Sequence, residues 1–236
     1  MRLALLSDQH GNDVAFRSIV EDVERIGVDR IFCLGDVAQG GAQPAQTLDR
    51  LAGLDCETIL GNADAFLLGE DNEEPTPELV EVREWTLSCL DDRHLDQIRS
   101  FSPTIELELE GQKLLFFHAS PQSFDDVLLP DTDDDLDPWL VDADLLAGGH
   151  THKQWTRRLG QALFVNPGAV GLAYDYHQPE DDFRFDAVAE YAVVTIGPHG
   201  PSVEFRRVRY SLEELRRAVL ASGRPNAEDH IGRYRE

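Results

Sequence analysis

The chain has 236 residues, 42% hydrophobic and 28% charged, a composition expected of one large globular domain rather than of a disordered or fibrous chain. With 21 basic against 45 acidic residues its formal net charge is −24, which argues against general binding to nucleic acid or anionic membrane. No apolar run approaches the roughly 20 residues of a membrane span, and the N-terminal apolar run is too short for a signal peptide, so a cytoplasmic location is expected.

Taken in order, residues 3–6 read as a buried strand that ends in Ser7-Asp8-Gln9-His10-Gly11-Asn12. Asn12 or Asp13 can cap a helix whose apolar positions Phe16, Ile19, Val20, Val23 and Ile26 follow the 3–4 spacing, with Gly27 as its stop. Residues 30–34 form a second buried strand, with Gly35-Asp36 at its end. This strand–helix–strand order calls for a parallel pair joined by a crossover helix. Sites in such sheets lie beyond the carboxyl ends of the strands, which is where Asp8, His10 and Asp36 fall.

A second helix is predicted over 44–54 and a third strand over 58–60, followed again by polar groups, Gly61-Asn62-Ala63-Asp64. Residues 66–100 read as a helical and acidic insertion beside the site, a partial lid, with an acidic loop near 70–74 and helices over 79–90 and 94–98. Strands over 104–109 and 113–117 make a hairpin around Glu110-Gly111, and His118 follows the second of them. The 125–137 block holds seven aspartates but lacks the glycine and terminal glutamate of a calcium loop, so it reads as solvated.

Leu145-Leu146-Ala147 then enters a glycine turn, Gly148-Gly149-His150-Thr151-His152. If that turn is extended, its two imidazoles point the same way and stand roughly 6–7 Å apart, too far to share one ion easily but suited to two ions. A hairpin over 155–158 and 163–165 leads to Asn166-Pro167-Gly168, and 174–186 reads as a polar, aromatic loop. Strands over 191–196 and 203–208 and a helix over 212–220 close the domain, with a frayed tail from Gly223. The three cysteines, Cys33, Cys56 and Cys89, show no CxxC spacing and are expected to be small buried hydrophobes. His94, His199 and His230 sit in polar surroundings and read as surface residues.

Collected together, the groups at strand ends are Asp8, His10, Asp36, Asn62, His118, His150 and His152. Carboxylate, imidazole and amide donors suit manganese, iron, zinc, cobalt or nickel rather than calcium. Seven such groups exceed what one ion needs and fit two. The ordered blocks Asp8-x-His10, Gly35-Asp36, Gly61-Asn62, His118 and Gly149-His150-x-His152 resemble the calcineurin-like metallophosphoesterases, in particular their small bacterial and archaeal phosphodiesterase branch. The resemblance runs from Met1 to about Gly171 and includes DQHGN and NPGAVG.

It implies a four-layer αββα sandwich, two mixed β-sheets flanked by helices, as a single domain. It also implies two divalent ions, manganese favoured. Asp8, His10 and His152 would hold the first, Asn62, His118 and His150 the second, and Asp36 would bridge them. The reaction implied is hydrolysis of a small phosphate ester by a bridging hydroxide, with Asp36, Asn62, His150 and Asp64 as catalytic candidates. Asn12 and His177 are the candidate substrate contacts, with loop bracing the favoured role for Asn12.

One position departs from the pattern. Where much of the family has histidine after Gly-Asn, this chain has Ala63, so either the substrate has a good leaving group or the proton comes from Asp64, His177 or water, with a capping role the favoured reading of Asp64. A phosphodiesterase is expected, with a phosphomonoesterase as the near rival. A non-catalytic scaffold akin to a retromer subunit is the rival of another class, and the complete ligand set speaks against it. A homo-oligomer is left open.

Overall fold

The structure, a computed structural model, describes residues 1–70, 75–132, 135–175 and 177–236. The strands are β1 (Arg2–Leu6), β2 (Arg30–Cys33), β3 (Cys56–Thr58), β4 (Ile105–Leu109), β5 (Gln112–Phe116), β6 (Leu145–Ala147), β7 (Gln154–Leu159), β8 (Ala162–Pro167), β9 (Phe185–Asp186), β10 (Val188–Gly197), β11 (Gly200–Arg209) and β12 (Tyr234–Arg235). The helices are α1 (Asp13–Ile26), α2 (Pro44–Ala52), α3 (Asn62–Leu68), α4 (Pro77–Cys89), α5 (Asp92–Arg99), α6 (Leu212–Ala221) and α7 (Ala227–Gly232).

Two five-stranded mixed sheets face each other, in the orders β11-β10-β1-β2-β3 and β4-β5-β6-β8-β7. Alternation along the strands builds this arrangement, because successive side chains point to opposite faces. Leu3 and Leu5 of β1 and Ala192, Val194 and Ile196 of β10 point inward to meet Leu114, Phe116, Leu145, Ala147 and Val165 of the other sheet. Their neighbours Ala4, Leu6, Tyr191 and Val193 turn the other way, onto Phe16, Ile19 and Val23 of α1. The outer face of the second sheet, with Leu146, Trp155 and Phe164, is covered by Leu128, Trp139 and Ala143 of the 128–143 segment. Among its described residues that segment contains one 3-10 turn, Asp137–Trp139.

Several expectations change. Helix α3 was not foreseen, being only seven residues long and opening on Gly61-Asn62. The third strand ends at Thr58, and Ile59 instead makes an isolated bridge with Ser102. Helices α4 and α5 contact α2 and α3, and Ile98 of α5 lies in the core beneath α1 and α2, so they belong to the helical layer rather than to a lid. Residues 71–74, part of the expected acidic loop, and residues 133–134 of the aspartate block lie outside the described residues.

The tail is ordered: β12 pairs in parallel with β9, and Ile231 and Tyr234 are buried. Of the thiols, Cys33 is buried, Cys56 half-buried and Cys89 exposed, so only one is a core residue. His94 is buried on α5, where its ring faces Asp91 and Asp49. Among the described residues no helix is long and apolar enough to cross a membrane.

Candidate metal centre

Parallel pairing of β1 with β2 sets the first three groups. The ladder continues past the strand ends: Asp8 N–H donates to Gly35 O at 3.0 Å, His10 N–H to Asp36 O at 2.9 Å and Gly11 N–H to Val37 O at 2.8 Å. The two loops are thereby locked together with Asp8, His10 and Asp36 converging. β6 lies beside β5 in the other sheet, and Gly149 N–H donates to His118 O at 2.8 Å. Asn166 steadies the histidine turn by donating to Gly149 O at 2.6 Å and Thr151 Oγ1 at 3.0 Å.

The backbone of that turn is not extended, as the sequence suggested, since His150 and His152 have φ of 65° and 53°. Among the described residues, five of the eight non-glycine residues with positive φ are Asp8, His10, Asp36, His150 and His152. A left-handed conformation costs a branched or bulky L-residue energy, and its concentration at one site is the pattern of strain held for function. Two glycines allow the close approach. A Cβ on Gly61 would sit 2.1 Å from Asp36 Oδ1, and one on Gly149 would sit 1.9 Å from Ser7 Oγ and 2.6 Å from Asp8 Oδ2.

The donors fall into two groups sharing one oxygen. In the first, the ligand atoms of Asp8, His10, Asp36 and His152 all lie within 4.8 Å of one another. In the second, Asn62 Oδ1 is 3.0 Å from His118 Nε2 and 3.1 Å from His150 Nδ1. Asp36 Oδ2 stands between them, 3.5 Å from His10 Nε2 and 3.4 Å from His118 Nε2. Its other oxygen accepts the Ala63 N–H at 2.8 Å, at the start of α3.

Backbone carbonyls fix three of the imidazoles. His10 Nδ1 donates to Gln39 O at 2.8 Å, His118 Nδ1 to Leu34 O at 2.7 Å and His152 Nδ1 to Leu172 O at 3.3 Å. A carbonyl can only accept, so each Nδ1 carries a proton, and once a ring is neutral its Nε2 lone pair faces inward. His10 Nε2 and His152 Nε2 face each other at 3.1 Å. Asp8 Oδ1 is buried without a hydrogen bond, although His152 Nε2 lies 3.2 Å away. Converging lone pairs and an orphaned buried carboxylate oxygen are the environment a divalent cation completes.

Electrostatics agree. Burial alone would raise the Asp36 carboxyl, but His118, His10 and His150 hold it below the usual carboxylate range. Asp8 is likewise held low, chiefly by His152 against the effect of burial. Burial opposes charge on His118, yet Asp36 and Asp8 push it up to about 10. His10 and His150 are lowered, burial leading in both.

Asp64 and Asn12 are both taken up in local bracing. Asp64 is fully buried, and its carboxylate accepts three backbone N–H bonds, from Asp36 at 2.8 Å, Val37 at 2.9 Å and Gly61 at 3.2 Å. It clamps the loop of Asp36 to the start of α3 and has no free oxygen to offer a leaving group. Burial and the neighbouring Asp36 charge push its carboxyl up to about 7, against those donors. Asn12 is engaged locally: Oδ1 accepts Ala15 N–H at 3.0 Å and caps α1, while Nδ2 donates to Gly171 O at 3.1 Å and Tyr210 Oη at 3.4 Å. His177 is exposed, in the loop whose Tyr174 donates to Thr151 O at 3.1 Å.

The calcineurin-like phosphoesterase superfamily domain matches residues 1–219. The chain belongs to this superfamily. A crystal structure of a metallophosphoesterase from Sphaerobacter thermophilus superposes with a TM-score of 0.77 at 24% identity, covering 99% of this chain and 97% of that one. An uncharacterised protein of Methanocaldococcus jannaschii is 26% identical over 94% of this chain and 93% of its own length. A protein of Paracidovorax citrulli named bis(5'-nucleosyl)-tetraphosphatase, symmetrical, is 29% identical over 69% of this chain but only 54% of its own length. Membership supports a phosphoric ester hydrolase, and the Asp/His cluster supports binding of divalent metal.

The sequence did not reveal the carbonyls of Leu34, Gln39 and Leu172 that set the tautomers, nor which backbone groups Asp64 holds. Only the acidic residue two places after Asn62 gave any signal of the clamp.

Proposed function

We propose that this protein is a dinuclear metal-dependent phosphodiesterase acting on small phosphodiesters. The observation that carries the reading is Asp36 Oδ2, placed 3.5 Å from His10 Nε2 and 3.4 Å from His118 Nε2, so that one carboxylate oxygen serves both donor groups. Asp8, His10, His152 and Asp36 would hold one cation, and Asp36, Asn62, His118 and His150 the other. The mixed nitrogen and oxygen donors suit manganese, iron, zinc, nickel or cobalt, and manganese is the ion we propose to test first. Such ions, when bound, lower the pKa of water toward neutrality and offset the charge of the phosphoryl oxygens during in-line displacement.

The protein's own contribution is position. The carbonyls of Gln39, Leu34 and Leu172 aim three imidazoles, Asn166 holds the turn of His150 and His152, and Asp64 registers Asp36 against Asn62. Ala63 supplies no proton and Asp64 has no free oxygen, which leaves exposed His177 or solvent to protonate the leaving group. A leaving oxygen of low basicity needs that proton least, so aryl and phosphate leaving groups are favoured over simple alkoxides. The name of the Paracidovorax citrulli relative brings nucleotide substrates into the range to be tested. The complete donor set is the argument against a scaffold without catalysis.

The test compares bis(p-nitrophenyl) phosphate with p-nitrophenyl phosphate in Mn²⁺, alongside metal analysis. About two ions per chain and faster diester cleavage are expected, with Asp36→Asn and His150→Ala folded but inactive. A monoester preference refutes the diesterase reading. Parental turnover in either variant refutes the assignment of the site.

A further inference from the structure

We propose that Tyr174 and Phe183, on the loop between β8 and β9, form an aromatic platform beside His152 that seats the nucleobase of a nucleotide ester held at the metal centre. Resting on the phosphohydrolase reading above, the platform narrows the substrate to esters of nucleotides.

A row of rings leaves the metal centre at His152. The His152 ring centroid is 6.3 Å from that of Tyr174, Tyr174 is 4.9 Å from Phe183, and Phe183 is 5.2 Å from Phe185. Phe185 and Tyr234, 5.2 Å apart, end the row in the apolar cluster that also holds Ile231. Spacings of this kind are those of packed aromatic pairs. Yet Phe183 remains 36% exposed, so the row surfaces there instead of being sealed.

Hydrogen bonds hold the loop in that shape. Tyr174 Oη donates to Thr151 O at 3.1 Å, between the two histidines of the ligand turn. Tyr174 forms an isolated antiparallel bridge with Phe185, and Asp186 N–H donates to Ala173 O at 2.8 Å. Toward the tip Gln178 spans the loop, its Nε2 donating to Arg184 O at 2.9 Å and its Oε1 accepting Arg184 N–H at 2.8 Å. Phe183 therefore keeps an exposed apolar face on a fixed frame, and a ligand ring laid on it would take that face out of water.

The surroundings suit a base better than a phosphate. Phe183 lines a groove of about 400 Å³ together with Asp181, Asp182, Glu228 and Asp229. Carboxylates repel a phosphate but accept the N–H groups of a base, whose flat face stacks on an aromatic side chain. A base stands one pentose away from its phosphate, and Phe183 stands one ring beyond Tyr174 from His152. The metal centre and the platform can thus hold the two ends of one nucleotide.

The experiment uses the Mn²⁺-loaded protein with free Mn²⁺ held constant. Adenosine monophosphate and the ribose phosphate that lacks only its base are compared as inhibitors of bis(p-nitrophenyl) phosphate hydrolysis. The parent should bind the nucleotide at least about tenfold more tightly, and Phe183→Ala should cut that ratio about tenfold while leaving the inhibition constant of ribose phosphate unchanged. Phe183→Tyr, which keeps a ring, should restore the parental ratio. Phe205→Ala, which removes an exposed ring on β11, should keep it as well. Tyr174→Ala would also cut the tie to Thr151, so the exposed Phe183 is the position that guards against a folding artefact. A parent that does not discriminate, or a Phe183→Ala variant with parental discrimination, overturns the platform. If the parent cleaves no ester under any divalent ion, the function proposed above fails. Calorimetric titration with the same two phosphates then decides the platform separately: a preference for the nucleotide that Phe183→Ala abolishes upholds it, and any other outcome refutes it.

Discussion

Replacing Asp64 separates a positioning role from a proton-donating one. Its carboxylate accepts N–H bonds from Asp36, Val37 and Gly61 at 2.8, 2.9 and 3.2 Å and is fully buried. Asp64→Ala leaves three buried donors without an acceptor, each costing about 1–3 kcal/mol. Even the low end of that range takes about 3 kcal/mol from a total stability on the order of 5–15 kcal/mol. Each kcal/mol shifts the melting midpoint of a chain this size by about 2–4 °C, so a fall on the order of 10 °C is expected.

Asp64→Asn keeps one acceptor oxygen but turns an NH₂ toward an N–H, and should fall between the parent and the alanine variant. Because the clamp joins Asp36 to the start of the helix carrying Asn62, both variants should also lose bound metal. The assay is a thermal melt with metal analysis, followed by a pH–rate profile at saturating Mn²⁺. An Asp64→Asn protein with the parental midpoint and metal content, lacking only the alkaline limb of the profile, would refute the clamp and restore Asp64 as the acid.

Gly149→Ala brings a Cβ to 1.9 Å from Ser7 Oγ and 2.6 Å from Asp8 Oδ2, so metal content should drop with a stability loss of about 1–3 kcal/mol, read by denaturant titration. Metal binding should release protons, because Asp36 and Asp8 keep His118 protonated up to about 10 in the free site; affinity measured by calorimetry in two buffers should weaken as pH falls, by about tenfold per pH unit for each proton displaced. His177→Ala should slow cleavage of nucleoside esters by about 10²-fold or more while sparing p-nitrophenyl esters, and equal effects on the two would remove His177 as donor. Asp22 accepts from Tyr191 at 2.6 Å and Arg206 at 2.8 Å, and these partners, against burial, hold its carboxyl below the ordinary range. A depressed folded pKa means stability that is present above the unfolded value near 3.9 and lost as pH falls toward the folded one. Urea midpoints of the parent should therefore drop on acidification more steeply than those of Asp22→Asn.

Much of this molecule was legible from local sequence. The hydrophobic period placed α1 and the two hairpins within a few residues, since helix and strand geometry repeat over a handful of positions. The donor groups were visible because each is a polar cluster directly after an apolar strand, and parallel strands bring such ends to one edge. Asp8, His10, Asp36, Asn62, His118, His150 and His152 could be named without coordinates for that reason. Helix α3 and the ordered tail were not legible, as seven residues and a two-strand pairing leave too little periodicity to read.

Tertiary structure alone decided how the donors are aimed. His118 is oriented by a carbonyl 84 positions away and His10 by one 29 positions away. Every residue carries the same carbonyl, so no letter of the sequence marks the one that matters. For Asp64 and Asn12 the sequence favoured local bracing without showing which groups they meet. Packing closed both into backbone N–H groups and carbonyls, because a buried polar group must find a partner. Arg224 meets Gly40 across 184 positions, a contact that no local pattern in the sequence marks. Composition reports the sum of the charges, and folding alone determines where they stand.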